Sequence, residues 1–382
     1  YDGSNRVSSI MLPEPLAGEA RPSHSYTYTN ATTTDIAAAG LTSSSGRYRR
    51  VTFDGAGRIL TDTDLAGRVS SVAYDSEDRV YTSWDSATGL KSTTVFDEQG
   101  NVTDEWGPAP TSWWSSPSAG GAPSSNVSQT PHTVNGYDEG LTSLSASWFN
   151  STDLTGQPVS VTTGVGHVSG AISASWGSGS PSGVSSDFSG LLTGWINIPD
   201  TGVQSIRANF GGKAEVVIDE TLVVDGWSST TGTAEGTYQG PAGWTPITIR
   251  YANPTGSASL SLEWHGAVGS YALVPGTALK PGYGLQTSTT DPDAKVVTYG
   301  YADPSTGNMT TSTEDPSSLA LVTSNAYESS GLRRVTSRSL PLGSASAVTT
   351  EYYGATETRT VPCTGGAADV PQRGMAKIVR SA

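Results

Sequence analysis

Apolar and polar residues alternate at period two wherever apolar residues cluster in this chain. Leu192, Gly194, Ile196 and Ile198 alternate with Thr193, Trp195 and Asn197. Ile247, Ile249 and Tyr251 alternate with Thr248 and Arg250, and Leu260, Leu262 and Trp264 with Ser261 and Glu263. Such segments read as antiparallel strands with one core face and one wet face, as in a sandwich. Ala214–Ile218 and Leu222–Val224 read as a hairpin joined through Asp219-Glu220. Gly and Pro recur too often for long helices. The best helix candidate, Asp35 to Ala39, is short and stopped by Gly40. The pattern predicts an all-β chain with fewer than about one residue in ten helical.

A second pattern is a repeat. Phe53-Asp54-Gly55-Ala56-Gly57-Arg58-Ile59, Tyr74-Asp75-Ser76-Glu77-Asp78-Arg79-Val80 and Phe96-Asp97-Glu98-Gln99-Gly100-Asn101-Val102 place their aromatics 21 and 22 residues apart. Tyr1-Asp2-Gly3-Ser4-Asn5-Arg6-Val7 is a more distant copy. Each unit reads as strand, tight turn, strand. The Asp bonds the backbone two residues on, and Gly or Asn supplies the position with φ > 0. One hairpin is marginal alone and must stack on its neighbours. The expectation is a buried row of Phe53, Tyr74 and Phe96, with Tyr81 facing solvent. Looser copies follow at Tyr299–Asp303, Asn325–Glu328 and Tyr352–Gly354.

These patterns divide the chain into a repeat segment at 1–107, a Pro/Ser/Gly-rich linker at 108–136, a sandwich at 137–281 and a degenerate repeat segment at 282–382. Both ends read as cut from a longer polypeptide. Charged residues are scarce, at 15% against about 25% in ordinary chains. The net charge of −14 opposes nucleic acid and anionic membrane as partners. No apolar run is long enough to span a bilayer. The single cysteine, Cys363, excludes an intrachain disulfide framework, and its pairing state is left open.

No catalytic motif stands out: there is no G-x-S-x-G elbow, H-E-x-x-H, P-loop or Cys-His pair. His24, His132, His167 and His265 lie in unrelated segments. The carboxylate pairs Asp62/Asp64 and Asp291/Asp293 read as turn residues. Among ten tryptophans, Trp195, Trp244, Trp113 and Trp114 are the candidates for exposure and for stacking on sugars, with packing between domains as the competing role. Trp148, Trp176, Trp227 and Trp264 are expected in core or hairpin packing. No cofactor is expected.

The aromatic-Asp-x-x-Gly-Arg/Asn-apolar units, with repeat residues Phe53, Asp54, Tyr74, Asp75, Phe96 and Asp97, resemble the tyrosine-aspartate repeats of rearrangement-hot-spot (Rhs) and teneurin-like proteins. That resemblance implies hairpins in a spiral β-sheet forming part of a shell around a C-terminal cargo, often a toxin, in a large secreted or cell-surface bacterial protein.

Residues 137–281 resemble the jelly-roll-like β-sandwich of the anthrax protective-antigen type. The matching pieces run in family order: Trp148-Phe149-Asn150, Trp176–Pro181, Leu192–Trp195 ending at Pro199, Val217-Ile218-Asp219, Val223–Trp227, Ile249-Arg250-Tyr251 and Leu262-Glu263-Trp264. Members that bind sugar through calcium carry an Asp pair just before the Ile-Asp strand end. Here that pair is Gly211-Gly212, so no metal is expected there, and Asp187, Asp219 and Asp225 are the fallback ligands. The resemblance implies a non-catalytic structural and recognition segment whose sandwich attaches to cell-surface glycans or acts as a spacer. Two alternatives stay open: an adhesin or lectin on a repeat stalk, and an accessory region of an exported glycoside hydrolase.

Overall fold

The structure is a computed structural model that describes every residue except 39–46, 229–230, 255, 330, 361–368 and 382. Cys363 lies outside the described residues. The chain forms two compact units, Tyr1–Asn135 with Thr290–Lys295 and Gly136–Thr289 with Val296–Ala382. Among the described residues the regular elements are strands and single-turn 3-10 helices, so the chain is all-β.

The first unit is built on a meander of ten strands: β1 (Ser9–Met11), β2 (Ser23–Asn30), β3 (Thr33–Ala38), β4 (Arg47–Phe53), β5 (Ile59–Asp64), β6 (Val69–Tyr74), β7 (Val80–Asp85), β8 (Leu90–Phe96), β9 (Val102–Pro110) and β10 (His132–Tyr137), of which Gly136 and Tyr137 already belong to the second unit. Each strand pairs antiparallel with the next. Residues 35–38 of the expected helix are instead part of β3, and Ala39 lies outside the described residues. Asp35 sits opposite Arg50 in the register and accepts from Arg50 Nε at 2.6 Å. Pairing on both sides overrides the helical preference of a short alanine run.

Residues 108–136 do not form a free linker. They fold back on the β7–β8 hairpin. Lys91, 1% exposed, donates its three ammonium hydrogens to Ser116 O, Pro117 O and Ala119 O at 3.0, 2.7 and 2.5 Å. Thr93 Oγ1 and Trp114 Nε1 both donate to Gly121 O, and Tyr81 OH donates to Ser118 O. Composition suggested flexibility, but backbone carbonyls in a loop without its own ladder are good acceptors for a buried ammonium.

The sandwich follows with β11 (Ser145–Phe149), β12 (Ser160–Thr163), β13 (Ser173–Gly177), β14 (Phe188–Ile198), β15 (Gly202–Gly211), β16 (Lys213–Ile218), β17 (Thr221–Asp225), β18 (Thr231–Gly240), β19 (Gly243–Asn253), β20 (Ala258–His265), β21 (Ala272–Leu273) and β22 (Leu279–Pro281). One sheet runs β12-β11-β14-β19-β16-β17, with β22 beside β14. The other runs β13-β20-β15-β18, with β21 beside β20. The alternation in β14 is realised in space: Leu192, Ile196 and Ile198 are buried in the core with Ile206, Ile247, Ile249, Leu260 and Leu262. Trp148, Trp176, Phe188 and Tyr251 form an aromatic cluster with centroids 5.6–5.9 Å apart.

The β16–β17 hairpin turns on Asp219 (φ 47°) and Glu220 (φ 61°), both left-handed, as a two-residue turn matched to strand twist requires. Asp138 clasps the two ends of the sandwich. Its carboxylate accepts from Gly284 N at 2.9 Å and Leu285 N at 3.0 Å, while its own N–H donates to Leu285 O. Beyond the sandwich, Val296–Gly300, Thr311–Glu314, Leu321–Tyr327, Val335–Ser339, Val348–Tyr352 and Ala376–Ser381 pair antiparallel in succession.

Candidate functional site

The repeated turns of the first unit share one geometry. Asp54 Oδ1 accepts from Ala56 N and Arg58 N, both at 2.9 Å, and Asp54 Oδ2 accepts from Arg58 Nε at 2.7 Å. Asp75 repeats this with Glu77 N, Arg79 N and Arg79 Nε, and Asp2 with Ser4 N, Arg6 N and Arg6 Nε. At Asp97 the side-chain donor is Asn101 Nδ2, at 2.9 Å. The clasp orients the guanidinium so that it lies over the aromatic ring of the next hairpin. Arg6 sits 4.0 Å from the Tyr28 centroid, Arg58 4.6 Å from Tyr74 and Arg79 4.5 Å from Phe96.

The tyrosines return the tie. Tyr28 OH donates to Val7 O and Tyr74 OH to Ile59 O, each at 2.9 Å. The second unit holds the same arrangement in Glu328 and Arg334, with Arg334 4.1 Å over Tyr352 and Tyr352 OH donating to Val335 O. This corrects the expected row of stacked rings. Ring alternates with guanidinium, because a charged planar group satisfies the turn carboxylate and the π face together.

The arginine clasps depress the carboxyl pKa values of Asp2, Asp54 and Asp75. The Arg58 backbone and guanidinium hydrogen bonds hold Asp54 below the usual aspartate range. At Asp75 burial pushes upward, but the bonds from Arg79 outweigh it and the net shift is down. Asp62 and Asp64 are ion-paired with Arg49 and Arg68. Asp291 accepts from Asp293 N and Lys295 N. Both pairs are therefore turn and ladder carboxylates.

In the sandwich, Trp195 and Trp244 come together on the outer face of the first sheet. Trp195 pairs with Pro246 and Trp244 with Asn197 in the β14–β19 register, and Lys280 lies opposite Trp195 on β22. Lys280 Nζ is 4.8 Å from the Trp244 centroid and 5.9 Å from that of Trp195. Trp244 is 39% exposed, but Trp195 is only 8% exposed. Trp114 is 5% exposed, and Lys91 Nζ lies 5.2 Å from its ring; Trp113 is half-buried. Trp195 and Trp114 are thus packed, and Trp244 alone of the four offers an open face. His132, which no pattern singled out, stacks on Trp106 at 3.4 Å and bonds Asp104.

Gly211-Gly212 carries the chain from β15 in one sheet to β16 in the other. A Cβ at Gly211 would press on Ser257 O, and one at Gly212 (φ 112°) on Ala252 O. Tyr251 OH donates to Gly211 O at 2.5 Å. An Asp pair does not fit this crossover, so the residues present do not suit a calcium ion there. Asp187, Asp219 and Asp225 are exposed and separate. Among the described residues no three His, Cys, Asp or Glu side chains gather around a common point. Nor is any described helix long and apolar enough to cross a membrane.

No protein-family model matches the sequence, and no curated protein matches it. Among solved structures the chain is similar to an anti-sigma factor domain-containing protein from Clostridium clariflavum, at 26% identity over 37% of this chain and 47% of that one, with a TM-score of 0.34. The chain spans about half the length of that protein. It is also similar to the PA14 domain of an antifreeze protein (12% identity, 37% and 92% covered, TM-score 0.30) and to a PA14 sugar-binding domain from an RTX adhesin (16%, 37% and 99%, 0.29).

Proposed function

We propose that this chain is a non-catalytic structural and recognition segment of a secreted or surface-exposed protein. Residues 1–107 and 282–382 build a wall of tied hairpins, and a protective-antigen-type sandwich at 137–281 serves attachment to surface glycans. The observation that carries the wall is the serial tie: the Asp-Arg clasp of one hairpin holds the guanidinium over the aromatic of the next. Such ties make neighbouring hairpins depend on one another, as a wall around a cargo of the Rhs kind requires. The sequence pieces of the sandwich in family order support the attachment role.

Limited trypsin digestion of the chain tests the wall. Arg58 and Arg79 sit at turns that a loose stalk would offer to the protease. The wall reading expects both to be protected, with early cuts elsewhere. Early cleavage after Arg58 and Arg79 would favour the stalk of an adhesin.

A further inference from the structure

The sandwich contains a cavity of about 400 Å³ that none of the residues in the preceding site explains. It lies between the segment after β12 and the loop after β13. Trp176, half-buried, forms its apolar wall with the buried Trp148 behind it, and Thr162, Ser180 and Ser182 are the hydroxyl residues on its lining. No acidic or basic side chain lines it.

The wall is built and held. The two indoles meet edge to face at 5.6 Å, each also packs on Phe188, and Trp148 Nε1 donates to Thr162 Oγ1 at 3.0 Å. Thr163 Oγ1 lies 3.1 Å from Tyr283 OH and Ser180 Oγ donates to Val184 O. Thr162 Oγ1 in turn donates to Gly164 O at 2.9 Å, and Thr163 points to the other face of its strand, so the capacity left for a ligand lies mainly on Ser180 and Ser182, a hydroxyl having one donor and two acceptor sites. Opposite them, Gly166 (φ 91°) leaves the mouth open, since an added Cβ would meet nothing within 4 Å.

The lining selects its ligand. Without a charged group, an ionic ligand would lose hydration and gain no partner. The Trp176 indole, held in place by Trp148 and Phe188, suits a flat apolar face, and the Ser180 and Ser182 hydroxyls suit a ligand rich in hydroxyls. A pyranose ring has both, with axial C–H groups on one face and hydroxyls around its rim. We propose that this cavity binds a neutral pyranose unit of a glycan without a metal ion. The proposal rests on the glycan-attachment reading of the sandwich and adds the place and the ligand class. The cavity is separate from the Gly211-Gly212 crossover and from the Trp195–Trp244 face.

Saturation-transfer NMR on the whole chain with the methyl glycosides of glucose, galactose and mannose tests it. At least one should receive transfer, unchanged by EDTA. Ser182→Trp, at an exposed position that fills the cavity mouth, should weaken binding about tenfold or more, while Trp244→Ala should leave it unchanged. Methyl galacturonide should bind about tenfold more weakly than methyl galactoside, because no cation awaits its carboxylate. Transfer that survives Ser182→Trp and disappears in Trp244→Ala would overturn this cavity and leave glycan attachment standing. Loss of transfer with EDTA would overturn the metal-free mode. No transfer from any of the three would sink both the cavity and the attachment reading.

Discussion

Arg58 and its counterparts at Arg6, Arg79 and Arg334 each serve two partners, a carboxylate in their own turn and a ring in the next hairpin. Tyr74 therefore gains from both its face and its hydroxyl. It is half-buried, so Tyr74→Ala should cost about 2 kcal/mol, below the 3–5 of a fully buried aromatic. Tyr74→Phe should cost about 1 kcal/mol for the bond to Ile59 O. Tyr81 was expected in solvent but packs beside Gly120 and bonds Ser118 O, so Tyr81→Ala should cost about as much as Tyr74→Ala. Thermal melts of the three variants check this, and a loss under about 0.5 kcal/mol at Tyr74 would mean that the tie contributes nothing. Lys91 offers a pH test. Burial pushes its ammonium down to about 8, below its value in an unfolded chain, about 10.4. Between these values the unfolded state holds more protons, so stability contributed at Lys91 rises with pH. The melting temperature of wild type should therefore rise relative to that of Lys91→Met from pH 8 to pH 10. A constant gap would show that the carbonyl cage keeps the ammonium charged.

At the scale of elements, the chain meets its sharpest backbone demands at one turn and one crossover. Glu220 adopts φ 61° in the β16–β17 turn, where glycine carries no Cβ penalty. Glu220→Gly should stabilise the sandwich by about 0.5–1 kcal/mol. Gly212→Ala should do the opposite, costing about 2 kcal/mol or more, since it combines an unfavourable φ with pressure on Ala252 O. Denaturant melts decide both, and a neutral Gly212→Ala would mean that β15 and β16 can separate at no cost. The same crossover explains why a ligand loop of the calcium-binding sort has no room here. The backbone of Gly211 is occupied by the Tyr251 hydroxyl.

Across the whole molecule, Asp2, Asp54, Asp64, Asp75 and Glu328 all have depressed pKa values. Each contributes stability that is present above its unfolded value and lost as pH falls through its folded value. The chain should therefore lose stability on acidification below about pH 4, and Asp54→Asn should make that decline shallower. A decline of equal steepness in the variant would remove the clasp from the account. Calcium tests the opposite end of the charge balance. Millimolar calcium should leave the melting temperature of the chain unchanged, whereas a bound ion would raise it by mass action.

The parts legible in the sequence were those governed by neighbours along the chain. Period-two alternation located β14, β19 and β20, the Asp219-Glu220 hairpin followed from its flanking strands, and the aromatic-Asp spacing marked the turns at 54, 75 and 97. Other features depended on which distant segments meet. Asp35 joined a strand because Arg50 came opposite it, and residues 108–136 were ordered because Lys91, 25 residues or more away from its acceptors, needed carbonyls to bury its charge. The guanidinium over each ring, the packing of Trp114 and Trp195, and the cavity beside Trp148 and Trp176 follow from sheet register and from the approach of two loops. A sequence dictates local backbone preference through its own side chains. Contacts between residues far apart in the chain are chosen by the burial and pairing of whole strands, and only the tertiary structure records that choice.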